Sequence, residues 1–224
     1  MTSLTIENYV KSIYMICVRG NSHTASTGRL ADELGVSPGT VTSMLKTLGD
    51  SGLAKYTPYE GVELTDSGRI LALRVLRRHR LVELFLVKTL KLSWDEVHDE
   101  AENMEHAVSD LLVDRMDEYL GFPGVDPHGD PIPNADGTVK QTSSQPLTES
   151  GVGSHFRLVR VMDQSPGFLR YLSETGLPLG VEGKVSANHV EAGVITIDVG
   201  HGETTLALNT AEKLRVVSLP EQNG

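Results

Sequence analysis

Histidine and carboxylate side chains are concentrated in the stretch HDEAENMEHAVSD, which runs from His98 to Asp110. On a continuous helix, four of these side chains would recur at i, i+4, i+7 and i+8 and project from one face: His98, Glu102, Glu105 and His106. Glu102 and Glu105 would repel each other at this spacing unless a cation lay between them. The pattern therefore predicts a metal site, with a solvated acidic helix surface as the alternative.

A second pair of candidate ligands precedes this stretch. His79 and Glu83 are also spaced at i, i+4, and two helices joined by a short connection pack antiparallel, which would bring the two faces together. Carboxylate and imidazole ligands without thiolate suit Mn²⁺ or Fe²⁺ better than a structural Zn²⁺, which favours cysteine and tetrahedral closure. The expected cofactor is therefore Mn²⁺, with Fe²⁺ possible, at one or two ions per chain.

The elements that must position these residues begin with a winged helix-turn-helix. Apolar residues recur at helical spacing over 5–18, and TGRLADELGVSPGTVTSML follows with the helix-turn-helix pattern. Gly35 can take the positive φ that ends the first helix, while Ser37 and Pro38 suit the N-cap and first position of the second. The segment LAKYTPYEGVELT then predicts a β-hairpin that turns at Pro58–Gly61.

The rest of the chain predicts two long helices, a linker and a small β-barrel. One helix is expected from Asp66 to Leu90, and the capping box Ser93–Glu96 predicts another that continues to about Leu120. Proline and glycine are frequent from 122 to 154, which is typical of a linker. Short β-type runs such as FRLVRV and GVITIDV fill 155–219, with one helix near PGFLRYLSE. The expected fold class is mainly α with β.

Composition limits the classes of function. The formal net charge of −10 disfavours nucleic acid, but the acidic residues are concentrated in 91–120 and the first 70 residues are nearly neutral. Cys17 is the one cysteine, which excludes an internal disulfide, and neither an export signal nor a long apolar segment is evident. The expected location is the cytoplasm, without membrane association.

A DNA-binding face is predicted on the second helix of the helix-turn-helix and on the wing. The side chains there suit phosphate and sugar contacts more than base readout, and none is an arginine poised for guanine. The candidates are Ser37, Thr40, Thr42, Ser43 and Lys46 on the helix, and Lys55, Tyr56 and Tyr59 on the wing.

Three motifs behind the winged helix-turn-helix, RRHRLVE, VHDEAENMEHAVSD and GFPGVDPHGDPIP, resemble the diphtheria toxin repressor family of metal-dependent regulators, in particular its manganese-responsive branch. The resemblance covers nearly the whole chain. It implies a homodimer that binds operator DNA when loaded with Mn²⁺ or Fe²⁺ and represses metal-uptake genes. The implied domains are a DNA-binding domain over 1–70, a helical metal-binding and dimerisation domain over 71–122, a linker over 123–154 and an SH3-like, FeoA-type barrel over 155–219.

The resemblance also implies the ligands. The primary site would contain Asn8, His79, Glu102, Glu105 and His106. Glu102 stands where iron-type members have cysteine, which favours manganese, and Asn8 stands where manganese-type members usually have aspartate. Glu83 and His98 resemble ancillary ligands, and a second site would add Asp126, His128 and Asp163.

Two other functions are compatible with the residues. Carboxylate and histidine clusters on helices also build di-iron enzymes, but these need paired Glu-x-x-His motifs from two helices. The chain offers only Asp95-x-x-His98 and Asn103-x-x-His106. A regulator that senses something other than metal is the third alternative, and it would show a DNA affinity that chelation does not change.

Overall fold

The computed structural model describes residues 4–140, 143–200 and 202–220. The chain divides into two compact units. The first contains the residues up to His79 together with Met104–Ser109 and Pro133–Val139, and the second contains Arg80–Asn103, Asp110–Ile132 and the residues from Lys140 onward. Each unit is therefore assembled from segments that are distant in the sequence.

The first unit begins with three helices, α1 (Leu4–Arg19), α2 (Thr27–Leu34) and α3 (Pro38–Asp50). Helix α2 ends at Gly35, whose φ of 62° is the left-handed conformation that glycine accepts without strain. Ser37 caps α3 by accepting a hydrogen bond of 3.1 Å from the backbone N–H of Thr40, and Pro38 occupies the first turn. The predicted helix-turn-helix is confirmed.

A two-stranded antiparallel wing follows, formed by β1 (Ala54–Thr57) and β2 (Gly61–Leu64). Tyr59 lies at its tip, fully exposed and with a positive φ of 68°. At Gly61, φ is 111° and an added Cβ would lie 2.7 Å from the carbonyl oxygen of Ala25, so only glycine fits. Ala25 and Val62 exchange backbone hydrogen bonds of 2.9 Å, which attaches the wing to the segment before α2.

The core of the first unit is aliphatic. Its side chains come from α1, α2, α3 and the wing, and burying them supplies most of the driving force for this unit. Its fully buried members include Val10, Ile13, Leu30, Val41, Leu45, Leu48 and Val62.

Helix α4 (Asp66–Phe85) continues as a π-helical turn over Leu86–Leu90, so the predicted extent of this helix is confirmed. The single helix predicted from the capping box to Leu120 is wrong. The chain forms α5 (Val97–Met104), a turn over 105–109, and α6 (Asp110–Tyr119). Met104 closes the turn by accepting from the N–H groups of Ala107 and Val108, at 2.9 and 3.2 Å. Buried contacts of Glu105 and His106 override the local helix propensity there.

The second unit contains a six-stranded antiparallel sheet in the order β3-β8-β4-β5-β6-β7. The bounds are β3 Gln145–Pro146, β4 His155–Val161, β5 Glu182–His189, β6 Val194–Asp198, β7 Glu203–Ala207 and β8 Leu214–Leu219, with helices α7 Pro166–Glu174 and α8 Leu208–Ala211 between strands. The fold class is as predicted, but the expected closed barrel is an open sheet: within the described residues, β3 and β7 are unpaired edges.

The sheet packs its own apolar core. Alternate residues of β6 and β8 point inward, as the period of two requires, while a register shift between Leu158 and Arg160 interrupts the alternation in β4; α7 packs in the same core. The fully buried members include Phe156, Leu158, Val185, Ile195, Leu206 and Val216 from the strands and Leu169 and Leu172 from α7.

The stretch around DPHGD, predicted as part of a linker, is an ordered buried turn in the second unit. One carboxylate oxygen of Asp126 accepts from the backbone N–H groups of His128 and Asp130, at 2.8 and 2.9 Å. Gly129 has a φ of 87°, and an added Cβ would lie 2.0 Å from the carbonyl oxygen of Val159. This close approach holds the turn against β4.

Candidate metal centres and DNA-binding face

The first candidate centre surrounds Glu105, a fully buried carboxylate in the turn after α5. One of its oxygens accepts a hydrogen bond of 2.7 Å from Lys11 Nζ, and the other lies 2.6 Å from His79 Nδ1. Burial raises the pKa of Glu105, but the hydrogen bond of His79 and the charge of Lys11 outweigh it and hold the pKa below its ordinary value. Glu105 is therefore an ionised carboxylate inside the protein.

His106 is adjacent to Glu105 and is fixed from the other side. Its Nδ1 lies 2.7 Å from Glu7 Oε2, which orients the ring if Nδ1 carries the proton. Its Nε2 is buried, makes no hydrogen bond within the part of the chain that the structure describes, and lies 3.1 Å from Glu105 Oε1. In the neutral ring with the proton on Nδ1, Nε2 and Glu105 Oε1 are two acceptors that repel each other, and a cation between them would remove the repulsion.

Asn8 supplies another unsatisfied atom. It is on α1 between Glu7 and Lys11, and its Oδ1 is buried without a hydrogen-bond partner among the described residues. A buried oxygen that accepts nothing is destabilising unless a ligand satisfies it. The side chains of Asn8, His79, Glu105 and His106 thus have the chemistry of a hard cation site, and all four belong to the first unit.

Glu102 and His98 are on α5 in the second unit. His98 is about half exposed; its Nδ1 lies 3.3 Å from Glu83 Oε1 and its Nε2 lies 3.8 Å from Glu102 Oε1. The predicted pairing of Glu83 with His98 is therefore present in the geometry, and Glu102 is a neighbour of His98.

A second candidate centre consists of Glu83, Asp126 and His128, which are all buried and offer ligand atoms within 4.8 Å of one another. His128 Nδ1 lies 3.9 Å from Glu83 Oε2 and has no hydrogen-bond partner in the described ranges. His128 Nε2 lies 2.8 Å from the carbonyl oxygen of Trp94, which can only accept. Nε2 therefore carries a proton, and in the neutral ring Nδ1 presents a lone pair toward Glu83.

The pKa of Asp126 is raised to about 8, first by burial and then by the charges of Asp130 and Glu83, while Arg80 opposes the shift. Arg80 contacts both aspartates, with Nε 3.4 Å from Asp126 and Nη2 3.2 Å from Asp130. Arg80 alone does not offset burial and the charges of Asp130 and Glu83 at Asp126, and Asp130 also pairs with Arg160. A divalent cation held by Glu83, Asp126 and His128 would add positive charge beside the carboxyl groups of Glu83 and Asp126.

Asp163 lies apart from this cluster among the described residues. Its carboxylate accepts hydrogen bonds from Lys213 Nζ at 2.8 Å and from the backbone N–H of Ser165 at 3.0 Å. Burial raises the pKa of Asp163, but the bonds from Lys213 and Ser165 outweigh it and lower the pKa. The structure therefore brings together three of the four residues expected for the second centre.

Sequence reasoning missed several residues that organise the two centres. Lys11 and Glu7 bond the ligand candidates Glu105 and His106, and their i, i+4 spacing on α1 beside Asn8 was a readable signal. Trp94 was placed only as part of a capping box, yet its carbonyl holds His128 and its indole N–H donates to Ser173 Oγ at 2.9 Å. No local pattern in the sequence predicts these two contacts of Trp94.

The predicted DNA-binding side chains are on the exposed side of α3 and on the wing. Ser37, Thr40, Ser43, Lys46 and Lys55 are exposed, whereas Thr42 and Tyr56 are half-buried. The hydroxyls of Ser37 and Thr40 are 2.9 Å apart, and Thr42 donates to the carbonyl oxygen of Pro38 at 2.9 Å. Some of these hydroxyls therefore support α3 itself in addition to any contact with phosphate.

A chain that combines a helix-turn-helix with candidate cation sites has the features of a metal-responsive DNA-binding regulator, and comparison with known proteins agrees. The family model for the N-terminal DNA binding domain of the iron dependent repressor matches residues 1–62, that for its metal binding and dimerisation domain matches residues 65–134, and the FeoA domain model matches residues 145–218. Within the described residues, no helix has the length and apolar character needed to span a membrane.

The iron-dependent repressor IdeR of Mycobacterium leprae (strain TN) is 32% identical over 226 residues, covering 95% of this chain and 96% of that protein. A solved manganese-dependent transcriptional repressor in complex with manganese is 41% identical, with a TM-score of 0.85, and covers 96% of this chain and 100% of its own. The structure of the manganese regulator SloR is 31% identical, with a TM-score of 0.75, and covers 96% of this chain and 98% of its own.

The chain belongs to the diphtheria toxin repressor family of metal-dependent transcriptional repressors. It has a DNA-binding domain and a metal-binding and dimerisation domain. The members of this family are repressors, so the alternative of a carboxylate-bridged enzyme is wrong. Iron and manganese regulators both occur among the relatives, which leaves the choice of metal to the chemistry of the sites.

The raised pKa of Asp126 predicts how stability depends on pH in chelated protein. Between about pH 4 and pH 8 the native carboxyl keeps a proton that the unfolded one has released, so this group lowers the free energy of unfolding as the pH rises through that window. In urea unfolding with chelator, we expect Asp126→Asn to be less sensitive to pH between 5 and 8 than the wild type. The isosteric amide keeps the oxygen that accepts from His128 and Asp130.

Asp163→Asn is the matched control. The pKa of Asp163 is lowered, so its contribution to stability is already complete above the unfolded pKa and is lost only as the pH falls below it. Its substitution should leave the slope between pH 5 and 8 unchanged. Identical slopes for wild type and Asp126→Asn would show that Asp126 is ionised in the chelated protein.

Proposed function

We propose that the protein is a cytoplasmic Mn²⁺-responsive repressor that binds operator DNA as a homodimer and controls metal-uptake genes. One ion would be held by Glu105 and His106 with His79 and Asn8, and the resemblance adds Glu102, three residues before Glu105. A second would be held by Glu83, Asp126 and His128, with His98 beside Glu83. The observation that carries the proposal is a set of buried atoms that have no hydrogen-bond partner among the described residues: Asn8 Oδ1, His106 Nε2 and His128 Nδ1.

The donor types favour manganese over softer ions. The two sets offer carboxylate, amide and imidazole groups, and the one cysteine of the chain, Cys17, belongs to neither set. Such oxygen-rich sets suit Mn²⁺, and more than four ligands are needed to discriminate against Zn²⁺ and Cu²⁺, which bind generic sites more tightly. Fe²⁺ is the remaining alternative because it accepts the same ligands.

Metal binding would act on DNA through α1. The bound ion supplies concentrated positive charge at the buried acceptors. Asn8 on α1, and Glu105 and His106 in the turn after α5, would then be held together, and α1 packs in the same core as α2 and α3. An ion that binds this arrangement better than any other shifts the population toward it. Since the exposed side chains of α3 include one cation, Lys46, DNA affinity would depend on two half-sites in a dimer.

Exposed apolar side chains support a dimer. Leu111, Tyr119 and Phe122 are each more than two-thirds exposed and lie in the segment that matches the dimerisation model. A dimer that covered these side chains would remove apolar surface from water.

We expect DNA binding to require the metal. In a fluorescence anisotropy assay at fixed salt, with a genomic fragment selected by Mn²⁺-loaded protein, chelation should weaken binding by about 10-fold or more, which corresponds to about 1.4 kcal/mol of coupling. Glu105→Gln should bind weakly with or without Mn²⁺. Glu118→Gln, at an exposed residue of α6, should behave as the wild type. Equal affinity of chelated and Mn²⁺-loaded wild type would contradict metal gating and favour a regulator of another ligand.

The choice of metal can be tested at Glu102. Replacing this hard oxygen ligand by cysteine should weaken Mn²⁺ relative to Zn²⁺, because a thiolate prefers the softer ion. Calorimetric titrations of wild type and Glu102→Cys with both ions measure the change in the affinity ratio, which we expect to be roughly 10-fold or more. If the ratio stays the same, Glu102 is not a ligand.

A further inference from the structure

Lys11 is a buried cation within the first candidate centre. Only 9% of its surface is exposed, and its Nζ lies 2.7 Å from an oxygen of Glu105, which has no exposed surface. A lysine is almost never buried to this degree unless it is paired with an acidic group. In the structure, its partner is the same carboxylate that is proposed to bind the metal.

The contact connects the two segments that metal binding would connect. Lys11 and Glu7 are one turn apart on α1 and bond Glu105 and His106, which are consecutive in the turn after α5. Asn8, the proposed ligand on α1, is located between them in the sequence. Lys11 therefore contacts the proposed ligand Glu105 from the same helix, α1, that carries the proposed ligand Asn8.

We propose that Lys11 is a tethered competitor of the metal ion and sets the free Mn²⁺ concentration at which the first centre loads. Its ammonium group must withdraw from Glu105 before a divalent ion can be held there. The inference rests on the proposed role of Glu105 as a ligand. It assigns Lys11 a regulatory role: the repressor would respond only above a threshold of metal that this lysine raises.

Two physical features support competition. Lys11 holds Oε1 of Glu105, which is also the oxygen 3.1 Å from His106 Nε2, so an ion shared by Glu105 and His106 would compete with the ammonium group for the same oxygen. A positive charge that remained near a divalent ion in a buried site would also repel it, and such repulsion is weakly screened away from water. The flexible four-carbon stem of lysine allows the ammonium group to leave without movement of the backbone.

A positioning role for Lys11 would give the opposite change in metal affinity. If Lys11 orients Glu105 for the ion and keeps its contact in the loaded protein, its removal should weaken metal binding, because partners that orient a ligand typically contribute 10–100-fold to metal affinity. The sign of the change in affinity therefore distinguishes a competitor from a positioning residue.

The test is the Mn²⁺ affinity of Lys11→Met, measured on the full chain by electron paramagnetic resonance of free Mn²⁺. Mn²⁺ binding at the first centre is identified as the binding step that is lost in Glu105→Gln. We expect Lys11→Met to bind this ion roughly 10–100-fold more tightly than the wild type. Lys11→Arg, which keeps the charge, should remain within about 3-fold of the wild type or bind more weakly. Lys184→Met, at an exposed lysine of β5, is the neutral control.

Thermal unfolding supplies a second readout. In chelator, Lys11→Met should unfold at a lower temperature than the wild type, because Glu105 loses its buried counter-ion. Mn²⁺ should then raise the midpoint by more than it does in the wild type. If methionine prevents folding, Lys11→Gln removes the charge and keeps a polar end.

The outcomes separate the inference from the proposed function. Equal or weaker Mn²⁺ binding in Lys11→Met and Lys11→Gln, with a step that Glu105→Gln still removes, would overturn the role of Lys11 and leave the site in place. Full Mn²⁺ binding in Glu105→Gln would instead show that the site itself is assigned wrongly.

Discussion

A carboxylate that is removed from water must be matched by positive charge or take up a proton, and this constraint organises both units of the protein. Glu105 in the first unit and Glu83 in the second have almost no exposed surface. Basic or histidine side chains contact each of these carboxylates. The helices and turns of each unit bring those side chains together from distant parts of the sequence. At Glu105 the chain leaves the helix that its periodicity predicts and forms the turn between α5 and α6.

The two units satisfy the constraint differently. In the first, Lys11 and His79 engage both oxygens of Glu105 and keep the carboxyl group ionised. In the second, burial and the charges of Asp130 and Glu83 outweigh the charge of Arg80 and raise the pKa of Asp126. In the proposed account, an ion would compete with the charge of Lys11 at the first candidate centre and would displace a proton from Asp126 at the second. Metal loading would then depend on the metal concentration needed to displace Lys11 at the first centre and on the pH at the second.

The sequence allowed the fold class to be predicted because its strongest signals are local. Gly35, Ser37 and Pro38 marked the turn of the helix-turn-helix through their own backbone preferences, and Ser93 with Glu96 formed the expected capping contact, with a hydroxyl to carboxylate distance of 2.6 Å. The resemblance supplied the ligand types. What local patterns could not show was tertiary: the break between α5 and α6 follows from buried contacts of Glu105 and His106 with α1 and α4.

The same limit applies to the second site. Asp126 and His128 were singled out by the DPHG motif, but the sequence could not show that Trp94 fixes the protonated nitrogen of His128, nor that Lys213 engages Asp163. Hydrogen bonds between residues 34 or more positions apart depend on the packed fold.

The central claim is that each unit contains one buried hard-metal centre, and the stoichiometry of Mn²⁺ binding tests it most directly. Equilibrium dialysis at saturating Mn²⁺ should give two ions per chain for the wild type, one for Glu105→Gln, one for His128→Ala and none for the double variant. Two ions bound by either single variant, with the fold intact by circular dichroism, would contradict the assignment of that centre.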